Sequence, residues 1–435
     1  MRAAQPLGPE ARTGSARLGP APYGALCTSS IVKIRVAPFK GAFIIATGDR
    51  KCVSSDFKVI DGHATPEGTK KYAGYGTSKK GLPAEHFREF EGLHLSSIGM
   101  GTYLGDLTKE DDVAVENAVY ESVMSGAINV IDTAINYRAM KSEKSIGRAL
   151  LRLASEGKIS RDQIFISTKN GYITNDGDFP NVDVMEYLHR MYIATDVMTA
   201  DDISSGYNVM NPNYLAKCIE KSLANMHLST IDLVYVHNAF ESWHEDVDRK
   251  AFAEMLAKVF ELYERYRKAG KLRYYGMATW TCFRVPKGER EHFSLEDAVR
   301  IAREAGGSNH GFRFIQLPYN LAYSEALLLK NQTVGADTMT ILEAAAKLGI
   351  GVFTSAPLFQ GRLLRAQIPD YAGVADNNKV AKLVQVIRSS PSVVAPLLGQ
   401  KSPKHVRENL KVASIPPLTK EEFAQAINIL MHRGS

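Results

Sequence analysis

Residues 129–134 read Asn-Val-Ile-Asp-Thr-Ala, a short apolar run that carries Asp132 and leads to Tyr137. Two later runs of the same kind, residues 164–169 and 232–237, end in a lysine and a histidine. The segments between the runs are long enough for crossover helices, so we expect parallel strands whose carboxyl ends share one face of a sheet. The pattern therefore brings four chemically active side chains together from distant parts of the chain.

These four residues, Asp132, Tyr137, Lys169 and His237, suggest proton donation to a carbonyl group. A phenol has a pKa of about 10 and holds its proton at neutral pH. A nearby ammonium stabilises the phenolate, and a carboxylate holds the ammonium in place. Taken singly, each residue has an ordinary structural explanation, such as a helix cap or a solvated strand end. Together, at matching strand ends, they predict carbonyl reduction.

Eight apolar runs alternate with helical periods, and a two-residue hairpin signal, Glu91-Gly92, precedes them. Runs that are apolar almost throughout are typical of strands buried on both faces. We therefore predict a (β/α)8 TIM barrel preceded by a short β-hairpin, with function at the carboxyl ends of its strands. An open doubly wound sheet is the alternative, although the chain has no convincing dinucleotide fingerprint. The predicted strands are 97–101, 129–134, 164–169, 232–237, 274–279, 314–319, 351–356 and 394–399.

Helix boundaries follow from capping residues. Thr108 and Asp111 predict a capping box for a helix over about 111–125, and the pairs at 211–212 and 402–403 place proline directly after an N-cap residue. A long loop after the third strand, residues 170–210, interrupts the barrel rhythm. Loops of this length in a compact domain are usually functional, so we expect it to cover the site.

Composition narrows the possible function classes. The net charge of +6 resides in residues 1–60, which carry nine Lys/Arg and three acidic residues, so the remainder is neutral and no nucleic-acid partner is expected. No run reaches the length of a membrane span, and we expect no membrane association. The four cysteines form no CxxC pair, which argues against a disulfide framework and against a zinc site and fits a reducing compartment.

The N-terminal segment differs from the rest of the chain. Residues 1–48 contain one acidic residue among scattered Arg, Ala, Ser and Gly, a composition typical of an organellar transit peptide. A disordered extension or a misplaced start codon would look similar. We assign residues 1–62 to an extension and 63–435 to the barrel. We expect a cytoplasmic location for the protein, or a plastid or mitochondrial one if the extension is a transit peptide.

The segment Gly126-Ala-Ile-Asn-Val-Ile-Asp-Thr-Ala-Ile-Asn-Tyr137 resembles the aldo-keto reductase signature. The agreement continues at 166–169, 231–237, 270–276 and 399–409, so the resemblance covers about residues 64–432. It implies that Asp132, Tyr137, Lys169 and His237 are the family's catalytic tetrad. Tyr137 would protonate the carbonyl oxygen while hydride arrives from a nicotinamide, and His237 would orient that oxygen.

The resemblance also implies a cofactor site, with NADP favoured and NAD possible. The loop before the last predicted helix would hold the adenosine phosphate through Lys401 and Ser402, where the helix dipole and free N–H groups suit an anion. His405 stands where the family has an arginine. Glu408 and Asn409 match adenine-binding positions, and Gln316 matches the residue that binds the carboxamide. The remaining cofactor positions implied are Thr279, Ser355, Pro357, Leu358, Gly361 and Gly399.

Several features depart from the family pattern. Ala278-Thr279 replaces a Ser-Asn pair, Ser355 replaces an aromatic that stacks on nicotinamide, and the turn after Tyr137 is about three residues longer. We also expect the chain to lack the long C-terminal loop that lines the substrate pocket in many members. We therefore expect the loop after Lys169, together with Trp280, to line the substrate pocket, and Tyr103 and Tyr172 to line it as well. The substrate would be a small-molecule carbonyl or alcohol.

Other interpretations remain open. Tyr137 and Lys141 form the YxxxK spacing of short-chain dehydrogenases, but they follow a strand in a predicted loop, where a helix would be needed. Residues 175–178 are acidic like a calcium loop, yet lack its other ligands, and we expect no metal. A non-catalytic, redox-sensing nicotinamide-binding subunit of a larger assembly is the main alternative function. A barrel lyase or isomerase is a third, and the sequence leaves the oligomeric state open.

Overall fold

The computed structural model describes residues 58–374 and 378–431. Its strands are β1 Phe87–Phe90, β2 Leu93–Ser96, β3 Gly99–Gly101, β4 Val130–Asp132, β5 Phe165–Asn170, β6 Ile231–His237, β7 Leu272–Ala278, β8 Phe312–Pro318, β9 Lys330–Val334, β10 Asp337–Thr340, β11 Gly351–Ser355 and β12 Val393–Gly399. The α-helices are α1 Pro66–Lys80, α2 Lys109–Met124, α3 Lys141–Ser155, α4 Val184–Leu188, α5 Pro212–Met226, α6 Ala239–Trp243, α7 Arg249–Lys268, α8 Leu295–Gly306, α9 Glu325–Leu328, α10 Ile341–Leu348, α11 Lys379–Ser389, α12 Pro403–Leu410 and α13 Lys420–Met431.

Eight parallel strands close into a barrel in the order β3-β4-β5-β6-β7-β8-β11-β12, with β12 pairing back onto β3. Helices lie between the strands, so the predicted (β/α)8 fold is confirmed. The predicted hairpin is also confirmed, since β1 and β2 pair antiparallel. Its turn uses positive φ at both central residues, 52° at Glu91 and 75° at Gly92, which suits the twist of a two-residue hairpin.

Aromatic side chains fill the inside of the barrel. Phe314 lies 5.5 Å from Phe165 and 5.5 Å from Phe353, measured between ring centroids. Phe90 of the hairpin approaches Phe314 to 5.0 Å, and Leu95 is fully buried in the same cluster. The hairpin therefore closes the amino-terminal end of the barrel with apolar side chains. The polar side chains of the barrel interior lie at the opposite, carboxyl-terminal end of the strands.

Some local predictions need correction. Helix α2 begins at Lys109, and the predicted capping box is only half formed: the Thr108 side chain accepts the Asp111 N–H, but the Asp111 carboxylate binds elsewhere. Helix α1 and the β9–β10 hairpin were not predicted. The caps at Asn211 and Ser402 are confirmed.

The assigned extension, residues 1–62, falls mostly outside the described residues, and its boundary at residue 63 stays a prediction. Residues 58–62 lie within the described part of the chain. Ile60 forms a bridge with Leu228, next to β6, and the Gly62 N–H donates to the Ser229 hydroxyl over 3.1 Å. The chain is therefore attached to the barrel at residues that precede residue 63.

We predict a pH dependence of stability from His86, which is fully buried behind the hairpin. Its Nε2–H donates to Ala127 O over 2.7 Å, and burial lowers its pKa to about 3. The unfolded chain takes up a proton below about pH 6.5 that the folded chain excludes, so stability falls as the pH falls. Between pH 7 and pH 5, wild type should lose about 2 kcal/mol more than His86→Gln in denaturant unfolding. Parallel losses in the two proteins would contradict this assignment.

Candidate active site

The predicted site residues lie at the carboxyl ends of adjacent strands. Asp132 ends β4, Lys169 is the second-last residue of β5 and His237 ends β6. Tyr137 follows β4 in a loop. These strands are neighbours in the barrel, so residues far apart in sequence meet at one rim.

Asp132 and Lys169 form a buried ion pair. Lys169 Nζ donates to Asp132 Oδ2 over 2.5 Å and to Thr133 O over 2.7 Å. The other carboxylate oxygen, Oδ1, accepts from Ser167 Oγ over 2.7 Å and from Gln316 Nε2 over 3.0 Å. Lys169 and Asp132 are 1% and 3% exposed. Burial lowers the pKa of Lys169, and the Asp132 charge opposes that change.

Tyr137 packs against this pair. Lys169 Nζ lies 4.8 Å from the centroid of its ring, and Tyr103 and His237 flank it at 5.1 and 5.9 Å between centroids. Burial raises the pKa of Tyr137 well above 10, and the Asp132 charge raises it further. The expectation that the Lys169 ammonium favours the phenolate stays a prediction, because burial and the Asp132 charge both oppose ionisation of the phenol in this arrangement.

His237 is held from the long loop. The Asn208 side chain donates to His237 O over 2.9 Å and accepts from Trp243 Nε1 over 3.2 Å. Burial lowers the pKa of His237 well below 6.5, and the Lys169 charge lowers it further, so the imidazole is neutral at physiological pH. Its buried Nδ1 has no hydrogen-bond partner within the described part of the chain. Tyr172 lies edge-on to the ring at 5.0 Å.

A left-handed turn follows Tyr137. Arg138, Ala139 and Met140 have φ of 51°, 49° and 71°, values that residues with a Cβ rarely adopt in succession. Arg138 Nε donates to Asp106 O over 2.9 Å, and its guanidinium pairs with Asp112. This turn lies in the segment after Tyr137 that the resemblance predicts to be about three residues longer, and the extra length stays a prediction. Strain of this kind persists where surrounding contacts fix the backbone, and it clusters at functional sites.

The residues predicted to hold the nicotinamide are mostly near the barrel mouth. Gln316 points its amide at Asp132, so it belongs to the ion-pair network. Thr279 is buried, and its side chain is hydrogen-bonded to the Cys282 thiol. Ser355 ends β11. Pro357, Leu358 and Gly361 follow in an irregular loop where Ala356, Phe359 and Gln360 also have positive φ.

The residues predicted for the adenosine end surround the start of α12. Gly399 ends β12, and the Ser402 hydroxyl accepts the His405 N–H over 3.3 Å as the helix N-cap. Lys401 Nζ donates to both carboxylate oxygens of Asp111, each over 2.7 Å.

The last two adenosine positions lie within α12 and differ from each other. Glu408 is partly exposed and lies 3.9 Å from Lys404 Nζ. Asn409 is 3% exposed and donates to the Gln400 side chain over 3.0 Å. Asn409 therefore faces inward instead of presenting its amide at the surface.

Two of the three predicted pocket residues each contact one of the four residues Asp132, Tyr137, Lys169 and His237. Tyr103 touches Tyr137 and Tyr172 touches His237, as described above. Trp280 instead packs edge to face on Tyr323 at 6.1 Å. Its backbone N–H donates to Glu241 Oε1 over 2.6 Å, and the next two N–H groups donate to the same oxygen. Glu241 thus fixes the loop after β7.

The long loop touches the site at its two ends. Tyr172 and Asn208 pair as an isolated bridge beside His237. The middle of the loop packs on the helix layer: Asp176 binds Lys144 of α3 over 2.5 Å, and Tyr192 packs on Tyr214 of α5 at 5.0 Å. The expectation that this loop covers the site remains a prediction.

Sequence reasoning missed Ser167, Asn208, Glu241 and Arg138. Ser167 could have been found, because it precedes Lys169 by two and so faces the barrel interior with it. The other three act through contacts between distant segments and carry no local signal.

Among residues 58–374 and 378–431, no group of three or more His, Cys, Asp or Glu side chains is arranged to hold a metal ion. Nor is any helix there long and apolar enough to cross a membrane.

Comparisons with known proteins point to one family. Residues 97–388 match the model of the Aldo/keto reductase family. Among solved structures, an aldo/keto reductase from Klebsiella pneumoniae in complex with NADP and acetate is similar, with 18% identity and a TM-score of 0.51 over 80% of this chain and 95% of that one.

Two further structures are similar in fold. The glycerol dehydrogenase from Gluconobacter oxydans is 21% identical, with a TM-score of 0.52 over 81% of this chain and 97% of that one. The holo form of an aldo-keto reductase from Bacillus halodurans is 18% identical, with a TM-score of 0.50 over 79% of this chain and 95% of that one. No curated protein matches the chain.

We predict that Lys169→Met is strongly destabilising, because it leaves the buried Asp132 carboxylate without its counter-ion. The cost should be about 3–5 kcal/mol, measured by denaturant unfolding. Adding Asp132→Asn to Lys169→Met should recover part of this loss, since the uncompensated charge is then gone. Arg148→Met is the matched control, because it breaks an exposed pair with Glu116 and should cost under about 1 kcal/mol. A double variant that loses the sum of both single effects would contradict the coupling.

Proposed function

The chain belongs to the aldo/keto reductase family, and on that premise we propose that it is an NAD(P)H-dependent oxidoreductase. It reduces an aldehyde or ketone to an alcohol by direct hydride transfer, with Tyr137 as the general acid. The observation that carries this proposal is the Asp132–Lys169 ion pair against the Tyr137 ring, with His237 on the other side. The substrate is a small-molecule carbonyl or alcohol.

The raised pKa of Tyr137 defines when it can act. A phenol with this pKa keeps its proton at neutral pH and releases it only to a strong base. The oxygen of a carbonyl group becomes such a base as hydride reaches its carbon. The Lys169 ammonium, 4.8 Å from the phenol ring centroid, would stabilise the phenolate that remains. Asp132 positions Lys169 for this purpose.

His237 acts as a neutral hydrogen-bonding group in this proposal. Because its pKa is lowered, it carries one ring proton over the physiological range and can donate one hydrogen bond to the substrate oxygen. Asn208 holds its backbone, so the loop after β5 contributes to the position of the imidazole.

The residues at the rim fit a nicotinamide cofactor, which supplies the hydride when bound. Two buried polar atoms without a partner in the described chain, Thr133 Oγ1 and Asn136 Oδ1, are available to a polar ligand near the mouth. Gln316, Thr279, Ser355, Pro357, Leu358 and Gly361 would hold the nicotinamide half. Gly399, Lys401, Ser402, His405 and Glu408 would hold the adenosine half, and Asn409 would join them only if its amide leaves the Gln400 side chain.

We favour NADP as the cofactor, with NAD possible. Lys401, Ser402 and the start of α12 offer a cation, a hydroxyl and helix N–H groups to an anion. The similar structures from Klebsiella pneumoniae are complexes with NADP and with NADPH.

The substrate side of the site is aromatic. Tyr103 and Tyr172 flank Tyr137 and His237, so they would line the space next to the reacting carbonyl. Trp280 and the long loop would contribute the outer part of the pocket.

No nucleic-acid or membrane partner is proposed. Residues 1–62 remain assigned to an extension, with a cytoplasmic location, or a plastid or mitochondrial one if they form a transit peptide.

The test is NADPH consumption by the full chain with an activated aromatic aldehyde, compared with Tyr137→Phe. Removing the proton donor should lower the rate by roughly a hundredfold or more, with the fold retained. Tyr75→Phe is the matched control, because it removes a hydroxyl from a half-exposed tyrosine on α1, which packs on the hairpin strand β2, and it should behave as wild type.

Two results would speak against the proposal. A wild-type chain that binds NADPH but never turns over would favour the redox-sensing subunit. Equal rates for wild type and Tyr137→Phe would remove Tyr137 as the acid.

A further inference from the structure

Lys401 is already paired within the chain. Its Nζ lies 2.7 Å from both carboxylate oxygens of Asp111, in the first turn of α2. The two residues are far apart in sequence but meet because β12 pairs with β3, which leads into α2. The side chains of Lys401 and Asp111 are 37% and 16% exposed, so the pair lies at the edge of the site, open to solvent on one side.

Asp111 is fixed in place by further contacts. Its Oδ2 accepts the Asp106 N–H over 2.5 Å, and its own N–H donates to Thr108 Oγ1. Burial alone would raise the pKa of Asp111, but the bonds from Lys401 and Asp106 outweigh it and the pKa is lowered. A carboxylate in the first turn of a helix is also favoured by the helix dipole. Asp111 is therefore a fixed negative charge at neutral pH.

The other charged side chains at the start of α12 show why the Asp111–Lys401 pair would affect the binding of a phosphate there. His405 and Lys404 are exposed, and Lys404 lies 3.9 Å from Glu408. His405 occupies the position where the family resemblance leads one to expect an arginine. Lys401 is then the main cation for the adenosine phosphate, and Asp111 neutralises it. A phosphate group at this place must compete with Asp111 for Lys401 and also meets its negative charge.

We propose that Asp111 is a specificity-determining residue that weakens binding of the 2′-phosphorylated nucleotide through its pairing with Lys401. A nucleotide without that phosphate leaves the Asp111–Lys401 pair intact and bears no such cost. The discrimination between NADPH and NADH is therefore small in this chain, and it is set by a residue of α2 as well as by the loop before α12. This inference rests on the proposed cofactor site.

The experiment is calorimetric titration of the full chain with NADPH, NADH, adenosine 2′,5′-bisphosphate and adenosine 5′-monophosphate. Asp111→Asn keeps a side chain that can accept the Asp106 N–H but removes the charge. It should bind NADPH and the bisphosphate about fivefold or more tightly, with NADH and the monophosphate unchanged. Adding Lys401→Met should abolish the gain.

Glu110→Gln is the matched control. Glu110 lies in the same helical turn and is exposed, so the substitution removes an equal charge without touching Lys401. Its nucleotide affinities should change less than about twofold.

The possible outcomes separate the two proposals. An unchanged NADPH-to-NADH affinity ratio in Asp111→Asn, or an equal gain for both nucleotides, would overturn the role of Asp111 and leave the proposed function standing. Failure of every variant and of wild type to bind either nucleotide would overturn the proposed function and this inference together.

Discussion

The ion pair between Asp132 and Lys169 is the interaction on which the candidate site depends. Two opposite charges with almost no exposure are stable only when they contact each other and their remaining hydrogen-bonding positions are filled. Ser167, Gln316 and the Thr133 carbonyl fill them here. These partners come from two barrel strands, β5 and β8, and from the loop after β4. The closed barrel is thus what allows a charged pair to exist beside Tyr137.

The barrel was predictable because its strands are buried on both faces and therefore read as separate apolar runs. The elements that were missed belong to other categories. Helix α1 has an N-cap threonine followed by Pro66 and ends before Gly81, signals that were present but lay in a segment assigned near the extension. The β9–β10 hairpin is short and largely polar, and two-stranded hairpins of that kind have little apolar alternation to detect.

The four central residues were also predictable, because each stands at or after the end of an apolar run. What sequence could not supply is the set of contacts between distant segments. Asp111 lies 290 positions from Lys401, and nothing near either residue indicates the pairing. The direction of the Tyr137 pKa depends on the same kind of information, since it is set first by burial of the phenol and then by the nearby Asp132 charge. The local sequence pattern identifies candidate groups, but the effect of their charges on one another depends on distances that only the folded structure gives.

In the proposed mechanism, Asp132 acts through Lys169 to make the Tyr137 phenol an effective proton donor during hydride transfer. Single-turnover oxidation of NADPH deuterated at the transferring position, by wild type and by Asp132→Asn, tests it most directly. We expect deuterium to slow wild type, and Asp132→Asn to be slower by roughly a hundredfold or more with nucleotide affinity retained. Equal single-turnover rates in the two proteins would contradict the account.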